Sequence, residues 1–224
     1  MPTSSLSSRV YEKILTRILS GGLPPGTECN RRQIACQMGV SVAPVLEAML
    51  QLEADGLVET LPRVGTRVRV LTLDDLQGQL VLREALECQA ARLYCGAPVR
   101  RHFERLTRLA RTIDVRDPTS PEHVKEEIVF HHSLVSLANV RILTQAYTKV
   151  MKTSFLYAVQ TLQPAGGKVT RASHVQLVQS LTTDNADAAE TAARAHAQSG
   201  KEALFDQWAA ARRALGDDIP GWPG

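Results

Sequence analysis

Glu127 and His131 stand four residues apart in the run Glu127-Ile128-Val129-Phe130-His131. The surrounding apolar spacing is helical, so a carboxylate and an imidazole share one helix face. Two chemistries fit that spacing: chelation of a metal ion, or an intrahelical ion pair or hydrogen bond. Spacing alone leaves both open. The chain has six histidines, His102, His123, His131, His132, His174 and His196. His132 falls on another side of its helix, and His102 and His123 carry no spacing signal. The motifs of hydrolytic catalysis, H-E-x-x-H and G-x-S-x-G, do not occur. Glu-x-x-x-His is also one residue longer than the Glu-x-x-His of di-iron bundles. No residue beyond the candidate ligands offers a general base, so an enzyme is not expected. The four cysteines, Cys29, Cys36, Cys88 and Cys95, form no C-x-x-C pair and read as reduced thiols of a cytoplasmic protein.

The elements that must position these groups are mostly helices. With 44% hydrophobic residues, 22% charged and only 4% aromatic in 224 residues, the core must be built from Leu, Val, Ile and Ala. Apolar residues recur at three- and four-residue spacing in Asp74–Tyr94, Pro98–Ile113, Pro121–Ala138, Val140–Leu162, Val169–Thr182 and Ala186–Leu215. Breaks fall at Gly96, Asp117-Pro118, Asn139, Pro164-Ala165-Gly166-Gly167 and Asp184-Asn185, and a loose tail follows from Gly216. The expectation is a helical bundle over 73–216 with a tail over 217–224. No apolar run approaches the length of a membrane span, and the start shows no basic region followed by an apolar core.

Residues 1–72 read differently. Val10, Ile14, Leu15, Ile18 and Leu19 mark a first helix, stopped by Gly21-Gly22-Leu23-Pro24-Pro25-Gly26. A short second helix from about Arg31 turns Ile34, Ala35 and Met38 inward and ends at Gly39. Ser41 suits an N-cap of a third helix with Pro44 in its first turn and Val45, Ala48, Met49 and Leu52 buried. Val58 and Thr60, the turn Pro62-Arg63-Val64-Gly65, then Val68 and Val70 read as a hairpin. Three helices and a hairpin make a winged helix-turn-helix, whose second motif helix meets base edges in the DNA major groove. The formal charge of +3 permits nucleic-acid binding without arguing for it.

Leu23-Pro24-Pro25-Gly26, Gly39-Val40-Ser41, Pro44-Val45, Glu47-Ala48, Leu52-Glu53-Ala54-Asp55-Gly56-Leu57-Val58 and Pro62-Arg63-x-Gly65-Thr66-x-Val68 resemble the DNA-binding domain of GntR-type regulators. The resemblance covers about the first 70 residues. It implies a DNA-facing set of Arg32, of Ser41, Val42, Ala43, Pro44 and Leu46 at the start of the recognition helix, and of Arg63, Gly65 and Thr66 in the wing, to which Arg31 adds a charge where the family usually has Glu. Arg9, Arg67 and Arg69 are further candidates for phosphate contacts. One departure matters. The family's Ser-Arg-Thr-Pro-Val-Arg-Glu-Ala is here Ser41-Val42-Ala43-Pro44-Val45-Leu46-Glu47-Ala48, so two arginines become Val42 and Leu46, and Leu50 extends the row. The row can touch thymine methyls, be covered by the effector domain or a partner, or mark weak DNA binding.

The rest of the chain, from about 74 to 205, resembles the FCD-type ligand-binding domain of the same regulators. The residues that carry this are Leu82-Arg83-x-x-Leu86-Glu87, Phe130-His131-x-x-Leu134, His174-x-x-Leu177-Val178, Asp184-x-Ala186-x-Ala188-Ala189 and Ala195-His196. The resemblance implies a divalent metal held by an Asp and three histidines. Glu127 stands at the Asp position, and His131, His174 and His196 match the histidines. Such donors suit Zn or Ni, and also Mn or Fe. The resemblance further implies a small carboxylate effector, with Arg83 pairing to it through its fork of donors, and a homodimer on a double-stranded DNA operator. The joint near Leu71–Asp74 would carry the signal between the two parts. A metal-sensing regulator, with the metal itself as signal, is the competing expectation.

Overall fold

The computed structural model describes residues 5–117, 120–161 and 172–199. Among them the protein is mostly helical, with a single two-stranded hairpin, as the periodicity implied. The elements fall into two compact units. The first holds the residues up to Thr72 together with a helical segment beginning at Lys149, and the second holds the others. No single helix among the described residues is long and apolar enough to cross a membrane.

In the first unit, α1 (Leu6–Leu19) starts where Ser5 accepts a hydrogen bond from the Ser8 amide. α2 (Arg31–Met38) is capped by Asn30, whose side chain accepts from the amides of Arg32 and Gln33. It ends at Gly39, whose φ of 65° is the left-handed turn that glycine adopts without a steric penalty. α3 (Val42–Ala54) follows at once. Ser41 occupies its N-cap, but its hydroxyl makes no capping bond, so the expected cap is one of position only. β1 (Val58–Leu61) and β2 (Gly65–Val68) pair antiparallel with Val58 opposite Val68. Val70, expected in the strand, lies beyond it and is exposed. A third extended segment, missed by the period-two reading, adds to the hairpin through a bridge between Glu28 and Arg67. The core joins Val10, Ile14 and Ile18 of α1 to Val45, Ala48 and Leu52 of α3 and to Leu57 and Val68. Leu156 of α8 (Arg141–Thr161) completes it. Beside it, Lys152 Nζ donates to Asp55 Oδ2 at 2.8 Å and to the Tyr11 hydroxyl at 2.6 Å.

In the second unit, α4 (Leu73–Tyr94) is followed by α5 (Ala97–Arg101) and α6 (Phe103–Val115). These two replace the single helix expected over Pro98–Ile113, because the chain turns at His102. Then come α7 (Pro121–Val135) with a 3₁₀ turn at Ser136–Ala138, the first part of α8, α9 (His174–Ser180) and α10 (Ala186–Gln198). The predicted reach of the last helix to Leu215 and the tail lie outside the described residues. α10 packs along α4. Its buried face is Ala189, Ala193 and Ala197, at i, i+4 and i+8, and these small side chains let the two backbones approach closely. Ion pairs flank that seam, Arg92 to Asp187 and Glu190, and Arg194 to Glu84. Buried Phe130 and Leu134 of α7, Tyr147 of α8 and Leu177 of α9 fill the interior.

Candidate metal centre and nucleic-acid interface

Three elements of the second unit bring the expected ligands together. His131 on α7, His174 on the first turn of α9 and His196 near the end of α10 each offer a ring nitrogen, all within 4.8 Å of one another. Glu127, one turn before His131, joins them. Its Oε2 lies 3.3 Å from His131 Nε2 and its Oε1 lies 3.3 Å from His174 Nε2. The Phe130 ring stands edge-on to His131 and His174, with centroids 5.1 Å from each, and closes the cluster on an apolar side.

Two carboxylates stand behind the cluster, and one of them holds an imidazole by a hydrogen bond. Asp114, near the end of α6, sits 2.7 Å from His174 Nδ1 and also accepts from the Ser173 hydroxyl and the His174 and Val175 amides. Glu87 of α4 lies 3.5 Å from His131 Nδ1. A ring that donates Nδ1–H to a carboxylate presents its Nε2 lone pair. For His174 that lone pair faces Glu127 Oε1 at 3.3 Å. Two acceptors cannot face each other unless a second proton or a cation lies between them. His174 answers in the protonic sense, since its pKa is raised. Burial would lower it, but Glu127 and Asp114 outweigh burial. His131 is lowered by burial, and His196 well lowered by burial and by the other two rings. His196 Nδ1 is buried with no hydrogen-bond partner.

The surrounding charge also favours a cation. Arg83 Nε donates to Glu87 Oε1 at 2.9 Å, and the Tyr147 hydroxyl donates to the same oxygen at 2.5 Å. Burial alone would raise the Glu87 carboxyl, yet Arg83, His131 and the Tyr147 hydroxyl hold it at about 2. Burial opposes ionisation of Glu127 too, and its histidine neighbours keep it well below the usual carboxylate range. With neutral rings, Glu87, Asp114 and Glu127 (three negative) face Arg83 (one positive). A divalent cation would cancel that excess, so donor set, orphaned nitrogen and charge all fit such an ion.

Arg83 is already paired with Glu87 through Nε, and its terminal nitrogens make no hydrogen bond with the described residues. His123, which carried no signal in the sequence, is buried with Nε2 at 3.3 Å from Glu127 Oε1. The i, i+4, i+8 spacing of His123, Glu127 and His131 would have found it. The Arg83–Glu87 pair was also visible at i, i+4. Asp114 and Tyr147 had no local signal. His132 contacts Ser136 at the surface of its helix, and His102 is exposed.

In the first unit, the residues expected to face DNA separate into two groups. Ser41, Val42, Ala43, Leu46, Arg32, Arg63 and Gly65 are exposed, and Pro44 is half-buried. Thr66 is buried, its hydroxyl taking a bond from Arg31 Nη2 at 3.1 Å and lying 3.2 Å from the Thr60 hydroxyl. Thr66 therefore anchors the wing to α2. Arg67 pairs with Glu59 at 2.7 Å across the hairpin. Arg63 turns the hairpin tip with a φ of 65°.

Residues 6–68 match the description "Bacterial regulatory proteins, gntR family", and residues 79–199 match "FCD domain". A protein of Paenarthrobacter nicotinovorans, named as a D-xylose utilization operon transcriptional repressor, is 35% identical over 150 residues, 64% of each chain. The repressor RspR of Escherichia coli K12 is 28% identical over 91 residues, 41% of this chain and 40% of that one. The matches thus span less than two thirds of these relatives. Among solved structures, E. coli McbR/YncC has a TM-score of 0.69 at 19% identity, covering 92% of this chain and 100% of that one. A GntR transcriptional regulator of Rhodococcus sp. RHA1 scores 0.66 at 21% identity, covering 95% and 99%. At such identities the likeness shows the fold. With the FCD match alone spanning more than half of its length, the chain belongs to the GntR family of bacterial regulatory proteins that carry an FCD domain, a family of regulators and not of enzymes.

Proposed function

We propose that this protein is a DNA-binding transcription repressor of the cytoplasm whose operator affinity is set by a small organic acid bound at a metal centre in its FCD domain. The observation that carries the reading is that ring nitrogens of His131, His174 and His196, from α7, α9 and α10, lie within 4.8 Å of one another, with Glu127 3.3 Å from the first two rings. Glu127, His131, His174 and His196 would hold Zn, Ni, Mn or Fe, and the ion would supply a Lewis-acidic contact for a carboxylate. The chain's own groups do the rest. Asp114 holds the His174 imidazole in register, Phe130 excludes water on one side, and the terminal nitrogens of Arg83 offer a fork to the acid. A homodimer would set two α3 helices on two half-sites of a pseudo-palindrome, with acid and operator linked through their effects on each other's affinity. The word repressor is supported by the names of the relatives from P. nicotinovorans and E. coli.

The test begins with metal-stripped protein titrated with Zn, Ni and Mn salts. One ion per chain is expected, with loss in the double variant His174→Ala, His196→Ala. Melting temperature against a panel of small mono- and dicarboxylates should then rise only when metal is present. Absence of stoichiometric metal, with acid binding unchanged in the double variant, overturns the reading. The Arg83–Glu87 pair favours one second reading, in which the metal itself is the signal, because Glu87 already engages the guanidinium. A change in DNA affinity on adding metal alone, with no acid, selects that alternative.

A further inference from the structure

The first residues of α3 are the ones that a helix-turn-helix brings to base edges. In this protein they are uncharged. Val42, Leu46 and Leu50 form one row along the helix and are exposed by 43, 39 and 57%. Ser41 and Ala43 are exposed beside them. α3 contains no Lys or Arg, and its two ionisable side chains are acidic. Of these, Glu53 accepts a hydrogen bond from the Thr60 amide at 2.9 Å, whereas Glu47 is exposed. The cations stand to the sides, with Arg32 on the first turn of α2 and Arg63 at the hairpin tip both exposed. Neither makes a side-chain hydrogen bond or ion pair with the described residues.

We infer that Val42, Leu46 and Leu50 read the 5-methyl groups of thymines in the major groove of duplex DNA, so that specificity in this protein is apolar. The inference rests on the operator-binding reading above. Charge complementarity chooses the occupant. An exposed apolar row, in a unit that also exposes Arg32 and Arg63, suits a groove floor flanked by phosphate chains. The thymine methyl is the apolar feature of that floor, where the other bases present donors and acceptors. A protein partner would need an apolar ridge together with acidic groups for the two arginines. The division of labour is then clean. Arg32 and Arg63 hold phosphates and set affinity and its salt dependence, while the α3 row sets sequence. Each methyl should count for about fourfold in affinity, the equivalent of one buried methylene. That is weaker per position than a bidentate arginine–guanine pair.

The experiment uses the full chain and a randomised duplex library made with thymidine triphosphate. Enriched duplexes are resynthesised with deoxyuridine for thymidine, which removes only the methyl. Enriched half-sites are expected to share thymines, and each uracil at a shared position should cost about fourfold in affinity. Leu46→Ala should weaken binding to the thymine duplex and leave binding to the uracil duplex unchanged, a coupling that altered DNA shape alone would not give. Leu46→Ala should also leave the salt slope intact, whereas Arg32→Ala should lower it by about one. Equal affinity for thymine and uracil duplexes, or equal loss on both in Leu46→Ala, overturns the inference while the operator reading stands. A shift in oligomeric state in Leu46→Ala with unchanged DNA affinity assigns the row to a second copy and also overturns it. Failure to enrich any duplex overturns the operator reading and the methyl inference together.

Discussion

The two units invert the usual distribution of residues in opposite directions. In the second unit, Glu87, His131 and His174 are ionisable and lie inside, the two rings edge-on to the apolar ring of Phe130. In the first, Val42, Leu46 and Leu50 are apolar and lie outside, on the helix whose other side carries the buried Val45, Ala48 and Leu52. Burying a charge is expensive unless it is paired, and exposing a row of branched side chains forgoes the hydrophobic gain of about 25 cal/mol per Å². Each inversion is the feature on which a proposed contact rests, with an ion in one case and with DNA in the other. The difference is that a buried polar cluster must be internally solved, carboxylate by carboxylate, while an exposed apolar row can wait for its partner.

That contrast can be broken most forcefully at Glu87. Glu87→Ala strands Arg83 in the interior without its partner and should cost about 3–5 kcal/mol by urea unfolding; a loss under 1 kcal/mol would mean that the pair is not internally required. Next comes α3 itself, where buried and exposed leucines share one helix. Leu52→Ala should cost about 2–5 kcal/mol, and Leu46→Ala should stay within about 0.5 kcal/mol. Equal losses would show that the row is not free. Metal removal ranks third. Saturating Zn or Ni at about a hundred times its Kd should raise stability by about 2.7 kcal/mol, an increment that Glu127→Gln should reduce in calorimetry.

The most diagnostic effect is in pH. Glu87 is held at about 2, below its ordinary 4.5, so the stability it contributes is present above the ordinary carboxylate range. It is lost as the pH falls from 4.5 toward 2. His174 runs the other way. Its raised pKa stabilises the metal-free protein below about 6.5, and that contribution fades as the pH climbs past the raised value. Chelated protein unfolded across pH 2–8 should show both slopes, and Glu87→Gln should flatten the acid limb alone.

Local rules explain why so much of this was readable in advance. Periodicity gave α1 to α4 and α7, because an amphipathic stripe is a property of neighbours along the chain. It merged α5 with α6, since the turn at His102 involves neither Gly nor Pro and leaves no breaker to see. Glu127 and His131 were legible as a pair for the same local reason. His123 was passed over although it lies on their stripe, since a lone histidine on a helix has many uses. Asp114 was invisible, because its partners Ser173 and His174 stand some sixty residues away in the chain.

The sequence by itself determined the helical spacing, the turn at Gly39, the lack of cations on α3 and the residue types that can bind a metal. Only the tertiary structure decided that ring nitrogens of His131, His174 and His196 come together, that Thr66 and Arg67 are engaged at home, and that Asp114 orients the His174 imidazole while Glu87 stands near that of His131. The physical reason is range. Backbone preference and side-chain periodicity act over a few residues, whereas the energy of a buried charge depends on every group folded against it, however distant in the chain.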